Sequence, residues 1–290
     1  MQIRDAYGDG RFGLSFELYP PKTPAGEAAL FRHLEPLMAF APSFVTCTYG
    51  AGGSTRHKTL EVVAEVRRRY GCTVASHLTC VGSTVEQLRA YLAEADALGV
   101  ENIVALRGDP PQGDTAFRPV AGGLRYANEL VALIRREFPH FGIAVAGYPE
   151  THREAVSPEA DLENLKRKVD AGGSVVITQL FYDNADLLRF RDRCRQLGIA
   201  APIVPGILAV TNCAQIRRIA SLCGARLPPA FLQALEAAAS EEEQFEVGVE
   251  FATRQVRELL DANVPGIHFY VLNQSPAAVR VLQALGITGR

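Results

Sequence analysis

Apolar and polar positions along this chain alternate between two periods. Short runs rich in β-branched and aromatic residues are each followed by a longer stretch with apolar residues at helical spacing. The runs cover residues 13–18, 43–49, 73–79, 102–106, 142–148, 174–180, 202–207 and 266–272. Most are about thirty residues apart, the length of one strand-plus-helix unit. Stretches such as LEVVAEVRRRY, VEQLRAYLAEADALG and LENLKRKVDAGG supply the helices, several with glycine near the end. Ser157-Pro158 and Ser275-Pro276 read as N-caps followed by proline at the first helical position. Eight such units predict an α/β fold, a (β/α)8 TIM barrel, with a doubly wound open sheet as the alternative. The longest gap, residues 211–265, is expected to hold two or three extra helices. Its EAAASEEEQFEVGVE stretch reads as a solvated face and loop. No linker divides residues 1–290, so one domain is expected.

In a parallel barrel the carboxyl ends of the strands converge on the active site. The runs here end in Glu17, Thr48, His77 with Thr79, Arg107-Gly108-Asp109, Tyr148, Gln179, Gly206 and Asn273. Singly, each has a structural explanation, such as a salt-bridged rim carboxylate or a satisfied core imidazole. Together they remove much polar surface from water, which requires a partner, and a bound polar ligand supplies one. The small residues of GAGGS at 50–54 offer backbone N–H groups to an anion. Around DLENLKRKVD, Asp161, Asn164 and Lys168 share one helical face, and Leu162, Leu165 and Val169 the other. That is an ordinary amphipathic surface helix or a polar lip for a nucleotide. The GDGRFG at 8–13 fits a dinucleotide fingerprint only by letter, because it precedes the first strand. The RGD at 107–109 closes a strand, unlike an adhesion signal on an extended loop.

Composition narrows the function. With a net charge of −2, the chain lacks the positive surplus that captures nucleic acid electrostatically. No apolar run approaches the ~20 residues of a membrane span, and the start MQIRDAYGDGRFG has no signal-peptide core. A soluble cytoplasmic protein, with no nucleic-acid or membrane partner, is expected. Six cysteines without a C-x-x-C pair argue against a metal ribbon or a dithiol centre, so no metal site is expected and buried thiols are. The lysines are Lys22, Lys58, Lys166 and Lys168, none at a predicted strand end where a Schiff base would form.

Nine segments, in order, carry a family resemblance: SFELYPPK, TYGAGGS, SHLTC, NIVALRGDPP, GYPETH, DLENLKRKVDAGG, ITQLFYD, PGIL and FYVLN. They resemble the bacterial-type methylenetetrahydrofolate reductases, from about Leu14 to Asn273. The resemblance implies a (β/α)8 barrel with noncovalent FAD and NADH or NADPH as co-substrate. It implies ping-pong hydride transfer through the flavin, turning 5,10-methylenetetrahydrofolate into 5-methyltetrahydrofolate. Opening the folate ring to an iminium needs a proton on the departing nitrogen. Glu17 matches the family's acid, and an apolar strand end favours the neutral, proton-bearing carboxyl. Asp109 matches the residue beside flavin and pterin, where negative charge favours the iminium. The matching flavin positions are Thr48, His77, Arg107, Gly108, Asp109, Tyr126, Ala127, Ala146, Tyr148, His152, Asp161, Asn164, Arg167 and Lys168. Glu17, Gln179, Gln215, Ile219, Leu272 and Gln274 match the substrate side.

The sequence departs from the family pattern in places. Ile219 stands where an aromatic covers substrate, Leu272-Asn273-Gln274 replaces LNR, and Gly172-Gly173 replaces Gly-Ala. A homo-oligomer is expected. The C-terminal regulatory domain of the eukaryotic members is not. The alternatives are a flavin-holding subunit reduced by a partner protein, or a flavin barrel of the proline dehydrogenase type.

Overall fold

The computed structural model describes residues 1–8, 10–49, 56–110, 113 and 116–289, without the side chain of residue 56. Asp9 of the 8–13 motif and the GAGGS segment lie outside the described residues. The strands are β1 (Gly13–Leu18), β2 (Phe44–Cys47), β3 (Thr73–Thr79), β4 (Asn102–Leu106), β5 (Gly142–Gly147), β6 (Val175–Thr178), β7 (Ile203–Val204), β8 (Gly206–Ile207) and β9 (Gly266–Tyr270). The helices are α1 (Pro24–Met38), α2 (Arg56–Tyr70), α3 (Val85–Ala97), α4 (Ala127–Glu137), α5 (Pro158–Asp170), α6 (Asn184–Gln196), α7 (Cys213–Cys223), α8 (Pro229–Ala237), α9 (Glu241–Asp261) and α10 (Pro276–Leu285). The sheet runs β7-β6-β5-β4-β3-β2-β1-β9-β8, with all pairs parallel. Because β7 and β8 are two halves of one stretch of chain, the sheet closes into a (β/α)8 barrel.

The seventh stave differs from the continuous 202–207 strand the sequence suggests. Pro205 has no N–H to give a ladder, so the stave breaks there. Before it, Ile203 and Val204 pair with Val176 and Ile177; after it, Gly206 and Ile207 pair with His268 and Phe269. The Pro205 carbonyl still accepts from His268 N at 2.9 Å, and Gly206 N donates to Thr178 Oγ1 at 3.0 Å. A Cβ on Gly206 would run into the Thr178 carbonyl and the Tyr270 ring, so this crossing requires glycine.

The strands are buried almost throughout, as parallel strands covered on both faces must be. Alternate side chains point inward. The lower interior is filled by Phe44, Ala75, Val104, Ala144, Val175, Ile177 and Val204, capped by a short 3₁₀ helix, Ile3–Ala6. The larger core lies between staves and outer helices, and a third cluster sits under α7 and α8. Thr23 and Ser157 cap α1 and α5, each followed by proline, as the sequence predicts for α5. Ser275 does not cap α10: its hydroxyl lies 3.2 Å from His33 Nδ1 instead. The 211–265 gap holds three helices. The acidic stretch is mostly helix rather than loop: Ser240 caps α9, and Glu241, Glu242 and Glu243 occupy its first turn, where the helix dipole favours them. All six cysteines are free, and Cys213 and Cys223 are only partly buried. No helix among the described residues is long and apolar enough to cross a membrane.

Candidate functional site

The period of β1 turns Ser15 and Glu17 to the barrel interior, above the apolar fill. Glu17 Oε2 lies 3.3 Å from His77 Nε2 on β3 and 3.6 Å from His268 Nε2 on β9. Ser15, paired in register with His268, sets its hydroxyl 2.8 Å from Nδ1 of that imidazole and so orients the ring. His268 is fully buried, and its Nε2 has no hydrogen-bond partner. Burial pushes the His77 pKa down; the Glu17 charge opposes this and His268 adds to it. The Glu17 carboxylate therefore has an imidazole on either side, an arrangement through which a proton can be shared.

Charged residues of both signs gather at the ends of β4 and β5. Arg107 grips Glu154 with two hydrogen bonds, of 2.6 and 2.8 Å. Gly108 turns the chain at φ +87°, and a Cβ there would come within 2.7 Å of Val81. Lys168 does not point outward from α5. Its Nζ reaches in to the Ala146 carbonyl at 2.6 Å and lies 5.7 Å from the Tyr148 ring centre. Burial draws its pKa down to about 8, against the attraction of Asp161. Asp161 also accepts from His152 N at 2.9 Å, and the His152 ring stands edge-on to Tyr148 at 4.6 Å. Burial and Arg107 hold the His152 pKa down. The Thr79 hydroxyl is buried here without a hydrogen-bond partner.

On the other side of Tyr148 a cleft is lined by residues 148–151, by Gln179 and Leu180, and by residues 223–225. Gln179 Oε1 accepts from Leu180 N at 2.9 Å. Ile219 packs part-buried on the third core cluster, and Gln215 is exposed in the first turn of α7. Leu272 and Asn273 are both left-handed, at φ +49° and +56°. Asparagine tolerates this; for leucine it costs about 1–2 kcal/mol. Asn273 braces the first and last loops, its Oδ1 accepting from Tyr19 N at 2.8 Å and its Nδ2 donating to Tyr19 O at 2.9 Å.

The structure thus brings Glu17 and His77 together, then Arg107, Tyr148, His152, Asp161 and Lys168, with Gln179 on the adjoining cleft. Thr48 is part-buried beyond β2, while Asp109, Tyr126, Asn164, Arg167 and Gln274 are exposed, and Ala127 opens α4. Sequence reasoning missed Ser15 and His268. Polar residues inside the runs SFE and GIHFY were the signal, but their pairing exists only in the folded register.

A closed parallel barrel with a carboxylate–imidazole centre and a charged rim at the strand ends defines a (β/α)8-barrel protein with its polar site at the barrel mouth. The family model described as methylenetetrahydrofolate reductase matches residues 2–286, and the chain belongs to that family. It is 39% identical to the 5,10-methylenetetrahydrofolate reductase of Escherichia coli over 279 residues, 96% of this chain and 92% of that protein. It is also 39% identical to the maize methylenetetrahydrofolate reductase (NADH) 1 over 297 residues, covering 99% of this chain. The chain spans about half the length of that and other plant relatives (50%). Among solved structures, an uncharacterized Clostridium thermocellum protein that binds two copies of 5-methyl-5,6,7,8-tetrahydrofolic acid shares the fold. It matches with a TM-score of 0.65 and 12% identity, over 96% of this chain and 95% of that one.

Proposed function

We propose that this chain reduces 5,10-methylenetetrahydrofolate to 5-methyltetrahydrofolate with electrons from NADH or NADPH, using noncovalent FAD. The flavin, when bound, would carry two electrons from the nicotinamide to the one-carbon unit. The residues present fit such a group: Arg107 and Lys168 offer cations to phosphate oxygens, and the unpaired, buried Thr79 hydroxyl offers a polar partner. Tyr148, His152, Asp161, Thr48, His77 and the Gly108 turn complete the wall that would hold it, with Ala146, Asn164 and Arg167 beside them.

The observation that carries the reading is Glu17 between two imidazoles in the barrel mouth. Its carboxyl gives the proton that the folate nitrogen needs as the ring opens, and His77 and His268 share the proton that replaces it. Asp109 adds negative charge that favours the iminium, and Gln179 orients the substrate by its amide. On this reading the purified protein is yellow, and anaerobic NADH or NADPH bleaches it. Glu17→Gln keeps nicotinamide bleaching within about threefold but slows the folate half-reaction by about 10² or more, the range of general acid catalysis. Equal damage to both half-reactions in stopped-flow would remove Glu17 from the acid role.

A further inference from the structure

We propose that the loop after β5 clamps the end of α7, and that Arg153 and Arg226 are positioning residues that hold this helix as one wall of the substrate cleft. The proposal rests on the proposed function, in which Gln179 on this cleft orients the substrate, and goes on to what fixes the cleft's shape. Helix α7 buries Ile216 and Ala220 fully, two of its eleven residues, against six of twenty-one in α9. Cys213, Ile219 and Cys223 pack part-buried beside them, and Arg217 pairs with Glu236 of α8. The ends of the helix are tied as well.

At the start, Asn212 Oδ1 caps Gln215 N at 3.0 Å, and Cys213 N donates to Gln244 Oε1 of α9 at 2.8 Å. At the end, Gly224 takes up the left-handed conformation at φ +79° and leaves carbonyls without helical partners. Arg153 Nη1 donates to two of them, Ser221 O and Leu222 O, each at 2.9 Å. A Cβ on Gly224 would come within 2.8 Å of Arg153 Cγ, so the glycine also lets the arginine stem lie across the helix end.

Two residues on, Arg226 makes the second tie. Its backbone N and its Nε each reach Glu150 Oε1 at 3.0 Å, and its Nη2 reaches Asp186 Oδ2 at 2.5 Å. Both carboxylates are largely buried, and Asp186 also accepts from Arg189. The two ties flank the cleft: Glu150 forms part of one wall and residues 223–225 form the other. The same loop holds the cofactor side, since Glu154 takes the Arg107 fork and His152 N donates to Asp161. One loop thus sets the spacing between the charged rim and the helix that carries Gln215 and Ile219.

The chemistry of the two ties separates them. Arg153 serves two neighbouring carbonyls from one nitrogen, which a lysine ammonium can also do. Arg226 spans two carboxylates with separate nitrogens, which lysine cannot.

The test compares Arg153→Met, Arg226→Met, Arg153→Lys and Arg226→Lys with the unaltered holoenzyme. Hydrogen–deuterium exchange of α7 is measured beside steady-state kinetics and flavin content. Both Met variants and Arg226→Lys should speed α7 exchange about tenfold and raise the folate KM about tenfold, with kcat within about twofold and flavin content unchanged. Arg153→Lys should behave like the unaltered protein. Unchanged α7 exchange overturns the clamp. Faster exchange with unchanged KM overturns the positioning role, and so does equal loss in both lysine variants. An unaltered protein that does not turn over folate at all defeats the functional reading in the control, and α7 exchange still decides the clamp.

Discussion

On the proposed function, FAD binding depends on pH through one lysine. Lys168 is drawn inward until its ammonium faces the Ala146 carbonyl, the Tyr148 ring, the His152 imidazole and the charge of Asp161, and burial lowers its pKa to about 8. A phosphate-bearing ligand binds the ammonium form, so binding takes up a proton above that value and affinity falls as pH rises. At pH 9 about one Lys168 in ten is charged, which weakens FAD about tenfold relative to pH 7. His152, held down by burial and Arg107, and Tyr148, pushed up by burial, both titrate outside this window. Fluorescence titration of apoprotein with FAD between about pH 6.5 and 9.5, at constant ionic strength, measures it. Lys168→Met should bind more weakly at pH 7 and show a flat profile. A flat profile in the unaltered protein would refute the argument. The same shift also acts on stability. The unfolded chain, whose lysine titrates near 10.5, holds more protons than the folded chain between pH 8 and 10.5. The apoprotein therefore gains stability as pH rises through that window.

Two further substitutions probe the frame of the site. Gly206→Ala drives a methyl into the Thr178 carbonyl and should lower stability by about 2–3 kcal/mol in urea unfolding; an unchanged midpoint would mean the seam relaxes freely. Ser15→Ala removes the partner of a buried imidazole and should cost about 1–3 kcal/mol, while slowing the folate half-reaction more than the nicotinamide one. Equal slowing of both would detach His268 from the acid.

Much of the frame could be read from the chain because local rules dominate it. The β1, β3 and β4 bounds coincide with the runs, since a parallel strand covered on both faces is written mostly in apolar and small residues. The 43–49, 142–148, 174–180 and 266–272 runs overshoot their strands; in the last, Leu272 already lies in the left-handed turn beyond β9. Pro205 marked the broken stave, but its effect depends on which neighbours compete for the hydrogen bonds. In the 236–250 stretch, charge hid a helix that Ser240 and the acidic first turn announce. At the site, Glu17 and His77 were legible as polar residues at strand ends. The inward turn of Lys168 and the use of Asn273 as a brace were not, because both depend on what lies opposite in the closed barrel.

The break at Pro205 also falls between most of the residues matched to the two ligands. Every residue matched to the flavin, from Thr48 to Lys168, precedes it, as do Glu17 and Gln179. Gln215, Ile219, Leu272 and Gln274, the other substrate-side matches, all follow it. The two portions meet at the broken stave and again along the continuous ladder of β1 on β9. Replacing everything after that proline with a homologous segment would exchange the lid over one lodger and leave the other's room intact, which makes this proline a natural joint for recombination within the family.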